Sequence, residues 1–302
     1  MEESKEIIYE HTSVEKMLHR LNVWFLPFRW GINPYRGCEH NCLYCNARYT
    51  HEYLGLPTGK FAYKIIVKDN AAEALDREFS KEKWNKKWTV NMATVTDPYQ
   101  PAEKEFRITR EILKVFLKHH NALMVTTKSD LILRDIDILK EISRTGFLNV
   151  VITIPVLDED FKKKIEPKSP GIKRRLEVVK QFHDAGIIVG VTSIPLFPYI
   201  SDNENNLENL IAEVAKNGAD YLIIDMLNFR EEAKKRVMTF IKEKYPELVS
   251  DYEKLYKTDY CDKEYAKKIR KYSNGLIKKY KLDNYDKMFS YRKKVDVVNE
   301  RK

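Results

Sequence analysis

Three of the four cysteines in this 302-residue chain, Cys38, Cys42 and Cys45, fall in one short loop with C-x3-C-x2-C spacing. Thiolates this close together point to a metal, and soft sulfur ligands suit both iron–sulfur clusters and zinc. A [4Fe–4S] cube has four irons, so three cysteines leave one iron without a protein ligand and open to a reactant. A zinc site would recruit His40 or His51 as the fourth ligand of a Cys3His set. Zinc loops usually arrive as two separated cysteine pairs, however, and no second pair exists here. The remaining cysteine, Cys261, is distant in sequence. An odd cluster of three plus one remote thiol does not make a secreted disulfide framework.

The elements around the loop alternate. Residues 30–33 form a short apolar strand that feeds directly into the cysteine loop. Residues 64–67 are predicted to be an extra strand, followed by a helix over 71–79 with Asn70 as its cap. Strands are then expected over 88–94, 123–127, 150–154, 187–194 and 221–226. Helices are expected over 108–118, from the cap Asp130 to Gly146, over 172–182 and over 207–215. The strands are continuous apolar runs, as expected when both sheet faces are covered. Such alternation implies a parallel sheet, and six steps are too few for a closed eight-stranded barrel. The predicted fold is α/β, a partial (β/α)6 TIM-like barrel with a helical C-terminal appendage. Its parts are a lead-in over 1–28, a core over 29–229 and a basic helical region over 230–302. Aromatics at 24–28 in the lead-in are suited to plugging one end of the barrel.

Chemistry in such sheets gathers at the carboxyl ends of the strands. Polar residues recur there: Thr96 and Asp97 after the second strand, Thr127-Lys128-Ser129 after the third, Thr153 at the fourth, Thr192-Ser193 at the fifth. A lysine at an apolar barrel mouth is costly to desolvate unless it meets an anion, so Lys128 is the strongest of these candidates. A hydroxyl such as that of Thr96 or Thr153 commonly satisfies a local backbone group instead. Asp97 and Glu103 flank two stiffening prolines and are candidates to receive a substrate group, although a turn explains Asp97 almost as well. Arg174 and Arg175 read as helix-surface charges.

The cysteine spacing, with Tyr44 immediately before Cys45, resembles the cluster loop of the radical S-adenosylmethionine (SAM) superfamily. The flanking words Asn33-Pro34-Tyr35-Arg36-Gly37-Cys38 and Asn46-Ala47-Arg48-Tyr49-Thr50-His51 resemble its spore photoproduct lyase-like branch, as does the Thr96 to Glu103 word. The resemblance spans roughly residues 30–228. It implies a [4Fe–4S] cluster on Cys38, Cys42 and Cys45, with SAM on the open iron. It further implies reductive cleavage of SAM to a 5′-deoxyadenosyl radical, fed by an external one-electron reductant. It also implies SAM contacts from Tyr44, Thr96, Lys128 and Thr153. The chain departs from spore photoproduct lyase in one respect. Residues 92–97 lack the hydrogen-donor cysteine kept there, and Cys261 is the only spare thiol.

Composition narrows the partners. Net charge is +9, and 33% of residues are charged. Residues 231–302 carry 21 Lys and Arg against 13 Asp and Glu, and half of the tyrosines. Basic residues interleaved with aromatics suit a nucleic-acid strand; a solvated lysine-rich helix pair with tyrosines packed on the core gives the same pattern. Nucleic acid is the first substrate class expected, with an RNA- or protein-modifying radical enzyme as the alternative. A non-enzymatic zinc module and a plain electron carrier are the readings from other classes. No apolar run is long enough to span a bilayer. The polar N-terminus lacks a signal-peptide core, so a cytoplasmic protein without a membrane partner is expected.

Overall fold

The computed structural model describes residues 6–21 and 28–283. Its main sheet has seven strands. Six are parallel: β3 (Trp30–Ile32), β6 (Val90–Met92), β7 (Leu123–Thr127), β8 (Leu148–Thr153), β9 (Val189–Leu196) and β10 (Tyr221–Met226), adjacent in that order. The seventh, β2 (His19–Arg20), pairs antiparallel with β3 at one edge. The sheet stays open, since β3 and β10 do not pair. A smaller sheet joins β1 (Ile8–Thr12), β5 (Lys64–Lys68) and β4 (Tyr35–Arg36), which gives the expected extra strand two partners.

Helices α1 (Ala71–Phe79), α3 (Ile108–His119), α4 (Ile136–Thr145), α6 (Ile172–Asp184) and α7 (Glu204–Lys216) connect the strands. Each lays one apolar stripe on the sheet, as Ile108, Ile112, Val115 and Phe116 do in α3. Every residue of β8 is buried, which is why its centre, Val150 to Ile152, is a continuous apolar run. Short helices α2 (Ala102–Phe106) and α5 (Glu159–Ile165) were not expected. Two predicted caps are corrected. Asn70 occupies the N-cap position of α1, but its side chain makes no cap bond and instead holds the backbone of Val14 through both amide atoms, at 2.8 and 3.0 Å. Ser129, not Asp130, caps the 3-10 turn ahead of α4, and Asp130 faces Arg174 instead.

The C-terminal region forms α8 (Glu231–Lys244), α9 (Val249–Leu255) and α10 (Lys263–Lys279). Its apolar residues Val237, Ile241, Tyr252, Tyr256 and Leu276 join the same core cluster as the strands. The chain after α10 runs beside β10, where the Leu222 amide donates to the Asp283 carbonyl. Of the lead-in aromatics, residues 24–27 lie outside the described residues. Phe28 is buried against Met124, Val151, Tyr221 and Ile223, the sheet face opposite the connecting helices. Among the described residues no helix is long and apolar enough to cross a membrane.

Candidate active site

A cavity of about 370 Å³ opens at the carboxyl ends of the six parallel strands. That volume falls in the range of small-ligand sites. The cysteine loop after β3 and β4 brings Cys38, Cys42 and Cys45 to it, with Tyr44 between them. Strand β6 delivers Thr96 and Asp97, β7 delivers Thr126 to Lys128, and β8 delivers Thr153. Strand β9 contributes Ile194 and Pro195, and β10 contributes Met226 to Asn228. The three cysteines and the four residues expected to contact SAM, Tyr44, Thr96, Lys128 and Thr153, therefore line one cavity.

The loop is clamped on several sides. The Cys38 amide donates to the Phe61 carbonyl at 2.9 Å, and the Leu43 amide to the Ile165 carbonyl at 2.8 Å. Gln100, fully buried, donates to the Gly37 carbonyl and accepts from the Glu39 amide, both at 3.0 Å. Gly37 sits at φ +86°, where a Cβ would lie 2.6 Å from the Lys64 carbonyl oxygen and 2.9 Å from that of Phe61. Gly37→Ala is expected to cost about 2 kcal/mol or more, from the left-handed backbone plus this collision, as a lowered melting temperature.

Burial raises the Cys38 thiol well above its ordinary value, helped by the nearby Asp97 charge. It pushes Cys42 up to about 12, against the pull of the Lys128 ammonium. Burial thus disfavours the thiolate form of Cys38 and Cys42, which a soft cation would favour. Among the described residues, no three His, Cys, Asp or Glu side chains converge on a single ion. Of the two histidines considered as a fourth zinc ligand, His51 lies outside the cavity lining, whereas His40 lines it with the cysteines and its Nδ1 has no hydrogen-bond partner. His51 donates through Nε2 to the Lys64 carbonyl at 2.9 Å, and the His40 ring nitrogen lies 3.4 Å from Asp97.

Lys128 is largely buried, with Nζ 3.8 Å from Glu166 and 5.8 Å from the Tyr44 ring centroid. Burial opposes its charge, but Glu166 and Cys42 hold its ammonium above the usual value. Glu166 is fully buried and accepts from Tyr44 Oη and, at 2.5 Å, from Arg175. Burial would raise this carboxyl, but Arg175, Lys128 and the hydrogen bonds from Tyr44 and Arg175 hold it below its ordinary value. Arg175 also donates to the Thr153 carbonyl at 2.8 Å, so one buried guanidinium ties β8 to the segment after α5.

This corrects the surface reading of Arg175, which is 0% exposed; Arg174 alone is the surface charge. A signal was available. Arg175 shares one helical stripe with Ile172, Val178, Val179 and Phe182. The fifth strand end also differs. Strand β9 runs on to Leu196, so Ile194 and Pro195 face the cavity. Ser193 is spent on the Ile154 carbonyl at 2.8 Å.

Asp97, held down to about 2, is the tie between β6 and β7. Burial opposes its ionisation, but His40 and bonds from Thr127 Oγ1 (2.6 Å) and the Lys128 amide (2.8 Å) outweigh it. Glu103 does not line the cavity. It is buried beneath it, accepting from Tyr35 Oη at 2.5 Å and from Arg134 at 2.6 Å. Its expected contact with substrate or SAM is thus replaced by a scaffold role. Thr96 lines the cavity while its hydroxyl donates to the Tyr35 carbonyl at 3.1 Å, and Thr153 Oγ1 lies 3.2 Å from Thr192 Oγ1. Cys261 lies outside the cavity lining, buried beneath Tyr256, where desolvation pushes its thiol to about 11.

Past Cys45, Asn46 and Asn228 the cavity leads into a groove of about 910 Å³ between the turn after Cys45 and the start of α8. Asn46 bridges the two, donating to the Asn228 carbonyl at 3.0 Å and accepting from the Arg230 amide at 2.8 Å. Exposed Tyr53 and Tyr260 stand on its rim beside Arg230, with Glu52, Glu231, Glu232 and Asp259. Elsewhere among the described residues the C-terminal tyrosines pack against the core, Tyr252 and Tyr256 fully buried.

The model of the radical SAM superfamily matches residues 32–211. An uncharacterized protein of Mycobacterium tuberculosis is 32% identical over 263 residues, 86% of this chain and 77% of that protein. An uncharacterized protein of Methanocaldococcus jannaschii is 32% identical over 219 residues, 72% of this chain and 77% of its own. Among solved structures, spore photoproduct lyase complexed with dinucleoside spore photoproduct superposes with a TM-score of 0.64. That alignment is 17% identical and covers 90% of this chain and 79% of the lyase, a likeness of fold. On the family match, seated on a cysteine loop at the mouth of an open parallel α/β sheet, this chain belongs to the radical SAM superfamily.

Proposed function

We propose that Cys38, Cys42 and Cys45 hold a [4Fe–4S] cluster whose fourth iron is left for SAM, and that the protein is a radical-generating enzyme. The observation that carries this is the meeting of the three cysteines and six strand ends in one cavity. When bound and reduced by an external one-electron donor, the cluster supplies the electron that cleaves SAM to methionine and a 5′-deoxyadenosyl radical. The chain's own residues bind and orient. Lys128 presents an ammonium toward the cavity and pairs with the SAM carboxylate. Glu166 keeps that ammonium charged, and Tyr44 packs beside it with its hydroxyl donating to the same carboxylate. Thr96 and Thr153 line the walls, each with its hydroxyl already engaged, and so shape the pocket and exclude water.

The groove beyond Cys45 is the substrate approach. Exposed Tyr53 and Tyr260 offer stacking faces for bases, which supports nucleic acid as substrate. The same groove carries four carboxylates, Glu52, Glu231, Glu232 and Asp259, against Arg48, Arg230 and Lys235, a mixed lining that supports a second reading, modification of a protein.

The experiment is anaerobic reconstitution with iron and sulfide, then dithionite and SAM, with assay for 5′-deoxyadenosine. Its absence from a protein loaded with four irons refutes the reading. Lys128→Met is expected to weaken SAM binding about 10- to 100-fold, the worth of one charge-assisted hydrogen bond, measured by equilibrium dialysis.

A further inference from the structure

Behind the cysteine loop lie two guanidiniums with no carboxylate partner. Arg48 is 1% exposed. One of its nitrogens, Nη2, donates to Asn41 Oδ1 at 2.6 Å and to the Cys42 carbonyl at 3.3 Å. Its Nε and Nη1 have no hydrogen-bond partner, and its other neighbour is the ring of Phe61, at 5.9 Å. Arg236, half-buried on α8, donates to the Leu43 carbonyl at 3.3 Å. Among the described residues neither has a carboxylate within ion-pair distance, and burial together with the charge of Arg48 works against Arg236, outweighing the Glu232 carboxylate that favours it.

Burying one unpaired cation costs several kcal/mol, and a second beside it adds repulsion. Arg175 and Lys128, by contrast, share Glu166. Arg48 and Arg236 instead grip the adjacent carbonyls of Cys42 and Leu43, between two of the three thiols. A [4Fe–4S] core held by three thiolates carries net negative charge, and one electron adds to it. That is the counter-charge these two residues lack.

We propose that Arg48 and Arg236 are the electrostatic partners of the cluster, positioning residues that stabilise its reduced form more than its oxidised form and so raise its potential. The inference rests on the cluster assigned above. Because charge on the cluster grows on reduction, two fixed cations beside it favour the reduced state.

The test is a redox titration, followed by electron paramagnetic resonance, of reconstituted wild type, Arg48→Gln, Arg236→Gln and the double variant. Each single variant is expected to lower the ratio of reduced to oxidised cluster at fixed solution potential about tenfold, about 59 mV for a one-electron couple. Arg48→Lys, which keeps the charge, is expected to recover most of that shift. The second readout is melting of the metal-free protein. Arg48→Gln is expected to leave it unchanged or higher, because an unpaired cation has gone, while the gain in melting temperature on reconstitution shrinks. Unchanged potentials in both single variants and the double variant, at normal iron content, overturn the inference. So does a metal-free Arg48→Gln protein that melts lower while the Arg236→Gln potential stays put. Iron and sulfide content, measured first, separates these from failure of the underlying reading: a wild type that takes up no four-iron cluster removes both.

Discussion

Cys42→Ala is expected to fold and to take up almost no iron on reconstitution. The loop around it is held by groups other than its thiol: the Cys38 and Leu43 amides, the Gln100 side chain and Arg48. The scaffold should therefore survive while the donor set does not. Disturbing only the outer partners of metal ligands already costs up to about 100-fold in affinity, so removing a ligand should exceed that. Production of 5′-deoxyadenosine should fall below detection, and Cys38→Ala and Cys45→Ala should behave alike. Cys261→Ala, buried away from the cavity under Tyr256, is expected to keep its full iron content. Iron analysis with circular dichroism checks all four variants, and full iron in Cys42→Ala would refute the assignment.

Arg175→Met is expected to cost about 3–5 kcal/mol at neutral pH, because it leaves the buried Glu166 carboxylate with Lys128, 3.8 Å away, as its one cation, beside the neutral hydroxyls of Tyr44 and Ser169. The pH dependence gives the diagnosis. In the native protein Glu166 is held below its ordinary value. Its contribution is therefore complete above the unfolded carboxyl value of about 4.3 and is lost as pH falls through the lower folded value. Without Arg175, burial dominates and the carboxyl rises, so the variant should regain stability as it takes up a proton on mild acidification. Urea denaturation at pH 7.5 and pH 5 should show the deficit narrowing. A constant deficit would mean lost packing rather than an unpaired charge. Arg174→Met, on the exposed side of the same helix, is expected to behave as wild type.

These two results bear on different layers of the site, and the layers were not equally visible beforehand. Cys38, Cys42 and Cys45 announce themselves by type and spacing, because a loop of eight residues cannot separate its own thiols. Lys128 was legible because a charge at the end of an apolar strand has few places to go. The long-range partners were not. Glu103 looked available from its loop, yet Arg134 and Tyr35, from distant elements, enclose it. Asn70 looked like a cap, yet Val14 from the lead-in claimed its amide.

Local periodicity and composition were enough to determine the six parallel strands, most of the covering helices and the loop that carries the thiols, since each depends on residues within a few positions. Tertiary structure alone decided that β9 extends far enough to turn Ile194 and Pro195 into the cavity, that Glu166 and Arg175 lie beneath Tyr44 and Lys128, and that Arg48 is buried without an acid. A repeating pattern shows which face of an element a side chain occupies. Which distant charge or carbonyl meets it there depends on how the elements pack, and that is where this site acquires its electrostatics.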